Sequence, residues 1–158
     1  MNGAHLHLMF NHVPVIGLFC CLALLLAGQW RKNPDLVKAG LVALVMVALV
    51  SIPVYLSGEP AEEIIEELPG MSHDLIHAHE DGAIWAFIGL EVLGALALLG
   101  LVGFRPPKQL PQWLVPAVLV LGLLTMIWVG WVSALGGRIV HPESRPDFSL
   151  EAESGEHD

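Results

Sequence analysis

A chain of 158 residues is long enough for one domain. Its 54% hydrophobic and 15% charged residues, with a mean hydropathy of +0.64, exclude an ordinary water-soluble domain. The net charge of -9 argues against nucleic acid as a partner, and against docking of the acidic side on anionic lipid.

Four apolar runs, 8–28, 39–56, 82–104 and 113–135, are each long enough to cross a hydrocarbon core, which takes about 20 helical residues. They do not alternate as barrel strands do, so helices are the spanning solution. The expected fold is all-α: a four-transmembrane-helix bundle with a short amphipathic surface helix between helices 2 and 3. Residues 1–142 form the membrane domain and 143–158 an acidic, disordered tail.

The first segment opens with His5, His7, Asn11 and His12 and has no Lys or Arg before it, so it is expected to persist as a helix rather than be cleaved as a signal peptide. Pro14 suits a first helical turn. The helix begins either there, with the histidines on an extended arm, or earlier, with His5 and His12 on one face. Cys20 and Cys21 are adjacent and read as small apolar residues without a disulfide.

Gln29-Trp30-Arg31-Lys32 marks an interface, and Asn33-Pro34-Asp35 a turn that caps the second helix. That helix carries Lys38 near its start and Pro53 and Tyr55 near its end. Pro60 opens a short helix that Pro69-Gly70 closes, with Ile64, Ile65 and Leu68 as its apolar face. Most of its acids are expected to be solvated, with Glu59 and Glu63 the exceptions that turn towards a site. Ser72 caps the third helix, expected from near His73 to about Gly103. Residues 104–108 form a second basic turn, and the fourth helix runs from near Trp113 to His141-Pro142. Gly130, Ser133 and Gly137 on one side of it leave room for a neighbouring helix or a flat cofactor.

Arg31, Lys32, Lys38, Arg105 and Lys108 fall at one end of the bundle, which positive-inside places in the cytoplasm. The chain is then a multi-pass protein of a bacterial inner (plasma) membrane with both termini outward. The bilayer is its expected surrounding, with other membrane redox proteins as partners.

This topology gathers His5, His7, His12, His73, His77, His79 and His141 at the outward, periplasmic face, with Glu59, Glu62, Glu63, Glu80 and Asp81. A rise of about 1.5 Å per residue puts His5, His77, Glu80 and His141 near one level, about 9–15 Å beyond the apolar border, with His12 deeper. His77 and Glu80 share a helix face at spacing i, i+3. Imidazole with carboxylate suits iron, zinc, copper or manganese. The expected metal ligands are His12, His77, Glu80, His141 and Glu59. Haem b is the other cofactor reading, with His77 and His141, or His12 and His79, as axial pairs. His5, His79, Gly130 and Gly137 are the expected cofactor-binding residues. Against both stands the reading of interfacial histidines as solvated or merely bridging helices. Glu91, near the midplane, is read as a proton-relay carboxylate or as a protonated side chain bonded to Thr125 or Ser51.

The segments His-Leu-His-Leu-Met-Phe-Asn-His-Val-Pro (5–14), Tyr-Leu-Ser-Gly-Glu-Pro-Ala-Glu-Glu (55–63), His79-Glu80 and Gly-Gly-Arg-Ile-Val-His (136–141) resemble a group of uncharacterised bacterial four-helix membrane proteins. The resemblance covers nearly the whole bundle but not the tail. It implies the membrane fold, and a haem-binding role is suggested for distant relatives. The expected function is therefore a metal or haem b site at the outward face serving electron transfer or metal handling. The alternative is a cofactor-free structural or accessory subunit of a membrane complex. A small transporter using Glu91 is a third reading, weakened by the lack of a pair of broken helices.

Overall fold

A computed structural model describes residues 3–103 and 110–145, and among these every regular element is helical. The basic turn at 104–108 and the tail beyond Arg145 lie outside the described residues. The elements are α1 (Gly3–Phe10), α2 (His12–Trp30), α3 (Pro34–Leu56), α4 (Gly58–Ile65), α5 (His73–Gly103) and α6 (Leu114–Val140), followed by a 3-10 turn at Pro142–Ser144.

Four helices are long and apolar enough to cross a membrane, the first two extended by α1 and α4. They pack in a ring, α2 on α3, α3 on α5, α5 on α6 and α6 back on α2. Leu18 and Leu25 of α2, Leu41 and Leu44 of α3, Leu93 of α5 and Val118 of α6 are fully buried and fill the half of the bundle near Trp30. The opposite faces are equally apolar: Phe19, Leu99, Val120 and Ile127 are each more than 60% exposed. Helices that are apolar on both faces need a solvent that is itself apolar, and lipid is that solvent. Helix association in lipid relies on close packing and not on water exclusion. Gly94 of α5 meets this demand, since a Cβ there would run into Ala48 of α3.

The α2–α3 connection is built by local rules. Asn33 N–H donates to the Gly28 carbonyl at 2.9 Å and Lys32 N–H to Gln29 at 3.3 Å, with Lys32 left-handed at φ 51°. This is a Schellman closure with lysine where glycine is usual. Asn33 Oδ1 then accepts from Asp35 N (2.9 Å) and Leu36 N (3.2 Å), which caps α3. Asn33→Ala is expected to lower unfolding free energy by about 1 kcal/mol, read in mixed-micelle denaturation, while Asn33→Asp retains most of it.

At the histidine end the structure takes the earlier of the two expected helix starts and departs from expectation at the short helix. The N-terminal histidines lie on a helix, not an arm: α1 joins α2 through Asn11, itself in helical dihedrals. Likewise α4 follows α3 after the single residue Ser57 and packs along α1. Its inward face is Ala61, Glu62 and Ile65, whereas Ile64 and Leu68 are exposed. The expected Ile64–Ile65–Leu68 stripe fails because α1 covers the neighbouring side and the helix ends before Leu68. Ser72 caps α5 as expected, its Oγ accepting from Leu75 N at 3.5 Å. Glu143–Arg145, assigned above to the tail, are held in the structure. Arg145 donates to the carbonyls of Arg138 (3.0 Å), Ile139 (3.1 Å) and Gly70 (3.2 Å). The first two lie in the last turn of α6, where carbonyls lack helical partners.

Candidate functional site

Where the α1–α4 extension faces the start of α5 and the end of α6, the bundle opens into a cavity of about 600 Å³. Ligand pockets commonly have this size. Small residues on the facing helices, Ala83, Ala86, Gly136 and Gly137, leave the space. Tyr55 and Phe87 stack at 4.5 Å, with their planes 9° apart, and form one wall. Towards the mouth the lining turns polar, with Glu59, Glu62, Glu80, His12 and His141. Among the described lining residues there is no Lys or Arg.

Glu62, His77 and Glu80 come together at the mouth, with one ligand atom from each lying within 4.8 Å of the others. His77 Nδ1 is 3.9 Å from Glu80 Oε2, one helical turn away, and both side chains are more than half exposed. Bonds of about 2.1 Å in a tetrahedral shell separate ligand atoms by about 3.4 Å, so the group closes on an ion with small rotamer changes. Glu62 also feels the charges of Glu80, Glu66 and Glu59, with His77 the counterweight. The mouth therefore attracts cations and repels anions.

Deeper in, His7 and His79 line the same cavity from α1 and α5. His79 Nδ1 donates to the Val132 carbonyl of α6 at 2.9 Å. Gly136 makes this possible, because its absent Cβ would lie 3.0 Å from His79 Cε1. His7 Nδ1 donates to the Val54 carbonyl at 3.1 Å and lies 3.3 Å from Ser57 Oγ, which also donates to Val54 at 2.8 Å. Val54 is in the last turn of α3, where carbonyls are open to side-chain donors. The buried Asn11 Oδ1, beside the same cavity, has no hydrogen-bond partner among the described residues.

The expected site residues divide accordingly. His77 and Glu80 fall in the three-residue group. Glu62, expected to be solvated, joins them in place of Glu59, because the register of α4 turns it inward. Glu59, His12 and His141 line the cavity outside that group. His141 Nδ1 bonds Glu143 at 3.0 Å, and the Glu143 backbone N–H, followed by this contact, holds the Glu143 carboxyl below its ordinary range. His79 and Gly137 line the cavity, whereas His5 is exposed on α1. Gly130 is exposed and outside the lining, and a Cβ there meets nothing within 4 Å, so it makes no room for a ring. His73 pairs with Glu66 at 3.6 Å. Glu91 meets Ser51 Oγ at 2.8 Å across α3 and α5. The same hydroxyl lies 2.8 Å from the Ala48 carbonyl, so one proton is shared by two acceptors unless Glu91 brings its own. His7 was missed as a site residue. Its signal was the helical phase of α1, which places it opposite the exposed His5 and His12.

Comparison with family models, curated proteins and solved structures found no match to this chain.

Proposed function

We propose that this protein is an integral protein of a bacterial inner membrane, with both termini outward, that binds a transition-metal ion at Glu62, His77 and Glu80. The ion is iron, copper or zinc, and the purpose is metal handling or electron exchange with other membrane redox proteins. The observation that carries this reading is the convergence of one imidazole and two carboxylates, from α4 and α5, on one small volume. The orientation rests on the basic residues Arg31 and Lys32 at the end opposite the histidines. A bare cation is favoured over haem b. The propionates of a haem would meet Glu59, Glu62 and Glu80, with no Lys or Arg in the described lining to receive them.

A cofactor-free accessory subunit is the second reading. It is favoured by the way His7 and His79 tie helices together through backbone carbonyls. Metal content and the visible spectrum of protein purified from membranes without chelator separate the two. Near-stoichiometric metal with no Soret band is expected. Absence of metal above a Glu62→Ala/His77→Ala/Glu80→Ala control would leave the accessory reading.

A further inference from the structure

His7 and His79 are more than helix bridges. A carbonyl only accepts hydrogen bonds, so the Nδ1 of each ring carries the proton it gives to Val54 or Val132. In a neutral imidazole the lone pair is then on Nε2. Among the described residues no protein group bonds Nε2 of either ring. Both rings, one from α1 and one from α5, line a cavity walled largely by Ala83, Ala86, Leu90, Val129 and Val132.

This is the arrangement that metal-ligating histidines adopt. The second ring nitrogen donates to a carbonyl, which fixes the tautomer and aims the other. A bridging role alone would use one nitrogen and leave the second to be hydrated. The cavity holds a further unanswered group, the buried Asn11 Oδ1, an acceptor without a donor. A water carried by an ion is a donor of the kind it lacks.

We infer that His7 and His79 form a second, inner metal site, taking a copper- or zinc-class ion through their two Nε2 atoms. Neutral imidazole favours ions of this borderline class, and two protein ligands leave coordination positions open for a water or a delivered group. The acids at the mouth raise the local concentration of cations at the cavity. The inner site shares no ligand with Glu62, His77 and Glu80, so either can fail alone.

The test is titration of copper(II) into the full-length protein in detergent. It is read as equivalents bound and, by pulsed electron paramagnetic resonance, as imidazole nitrogens per copper. Wild type is expected to take two equivalents. His77→Ala is expected to retain one equivalent, coordinated by two imidazoles. His79→Gln keeps a donor for the Val132 carbonyl and is expected to retain one equivalent with a single imidazole. His7→Ala gives the same readout from another helix should His79→Gln lose helicity. Loss of all copper in His77→Ala, or full retention in both His79→Gln and His7→Ala, would overturn the inner site and leave the rim site standing. Copper lost with His79→Gln and untouched by His77→Ala supports the inner site and overturns the rim. A Soret band that disappears with His79→Gln would replace the ion by a haem and overturn the inference as stated.

Discussion

His77→Ala is expected to weaken zinc binding at the rim by about 100-fold or more, measured by equilibrium titration of the purified protein. Loss of an outer-shell partner alone costs about 10–100-fold, and His77 is the sole imidazole among the three rim ligands. What remains is two carboxylates in water, where a unit charge pair at 4 Å is worth only about 1 kcal/mol. Glu62→Gln and Glu80→Gln are expected to weaken binding less, because an amide oxygen still coordinates but the charge is lost. His73→Ala is the control. It lies one helical turn before His77 and is equally exposed, yet its partner is Glu66 outside the group. Equal loss in His73→Ala and His77→Ala would reduce the effect to general charge at the mouth.

Gly94→Leu is expected to prevent assembly of the bundle, and Gly94→Ala to lower its stability by about 1–3 kcal/mol, the usual cost of overpacking. The reason is local. A Cβ on Gly94 runs into Ala48, whose own methyl is as short as a side chain can be, so only backbone separation relieves the clash. Moving α3 from α5 also parts Ser51 from Glu91, one turn from the contact. Gly130→Ala is the contrasting substitution. A Cβ there meets nothing, so stability and metal binding are expected to stay within error of wild type. Unfolding in dodecyl sulphate mixed micelles, followed by circular dichroism, ranks the three.

The helices were legible because each run is of the length that a hydrocarbon core demands and each boundary carries its own chemistry. Asn33, Ser72 and the Trp30-Arg31-Lys32 edge are cases in point. The site was legible only by level along the bundle. Adding residue rises puts histidines at one height but does not fix their azimuth. Azimuth decides that His77 meets Glu62, that His141 turns to Glu143, and that Gly130 faces away from the cavity. Glu62 was hidden for the same reason. Among the five acids of residues 59–67 the sequence does not say which faces α5, and the answer depends on α4 continuing α3 through Ser57. His7 was hidden because its partner carbonyl, Val54, lies 47 residues away. The Glu91–Ser51 contact was readable, since both are polar groups deep in apolar helices and each needs the other.

One measurement bears most directly on the rim site. It is the X-ray absorption spectrum of zinc bound to His7→Ala protein, in which the inner pair is broken and Glu62, His77 and Glu80 remain. The expected shell has oxygen and nitrogen ligands at about 2.0–2.2 Å, with the outer scattering of a single imidazole. Zinc that fails to bind, or binds in a shell of water without imidazole, would contradict the assignment.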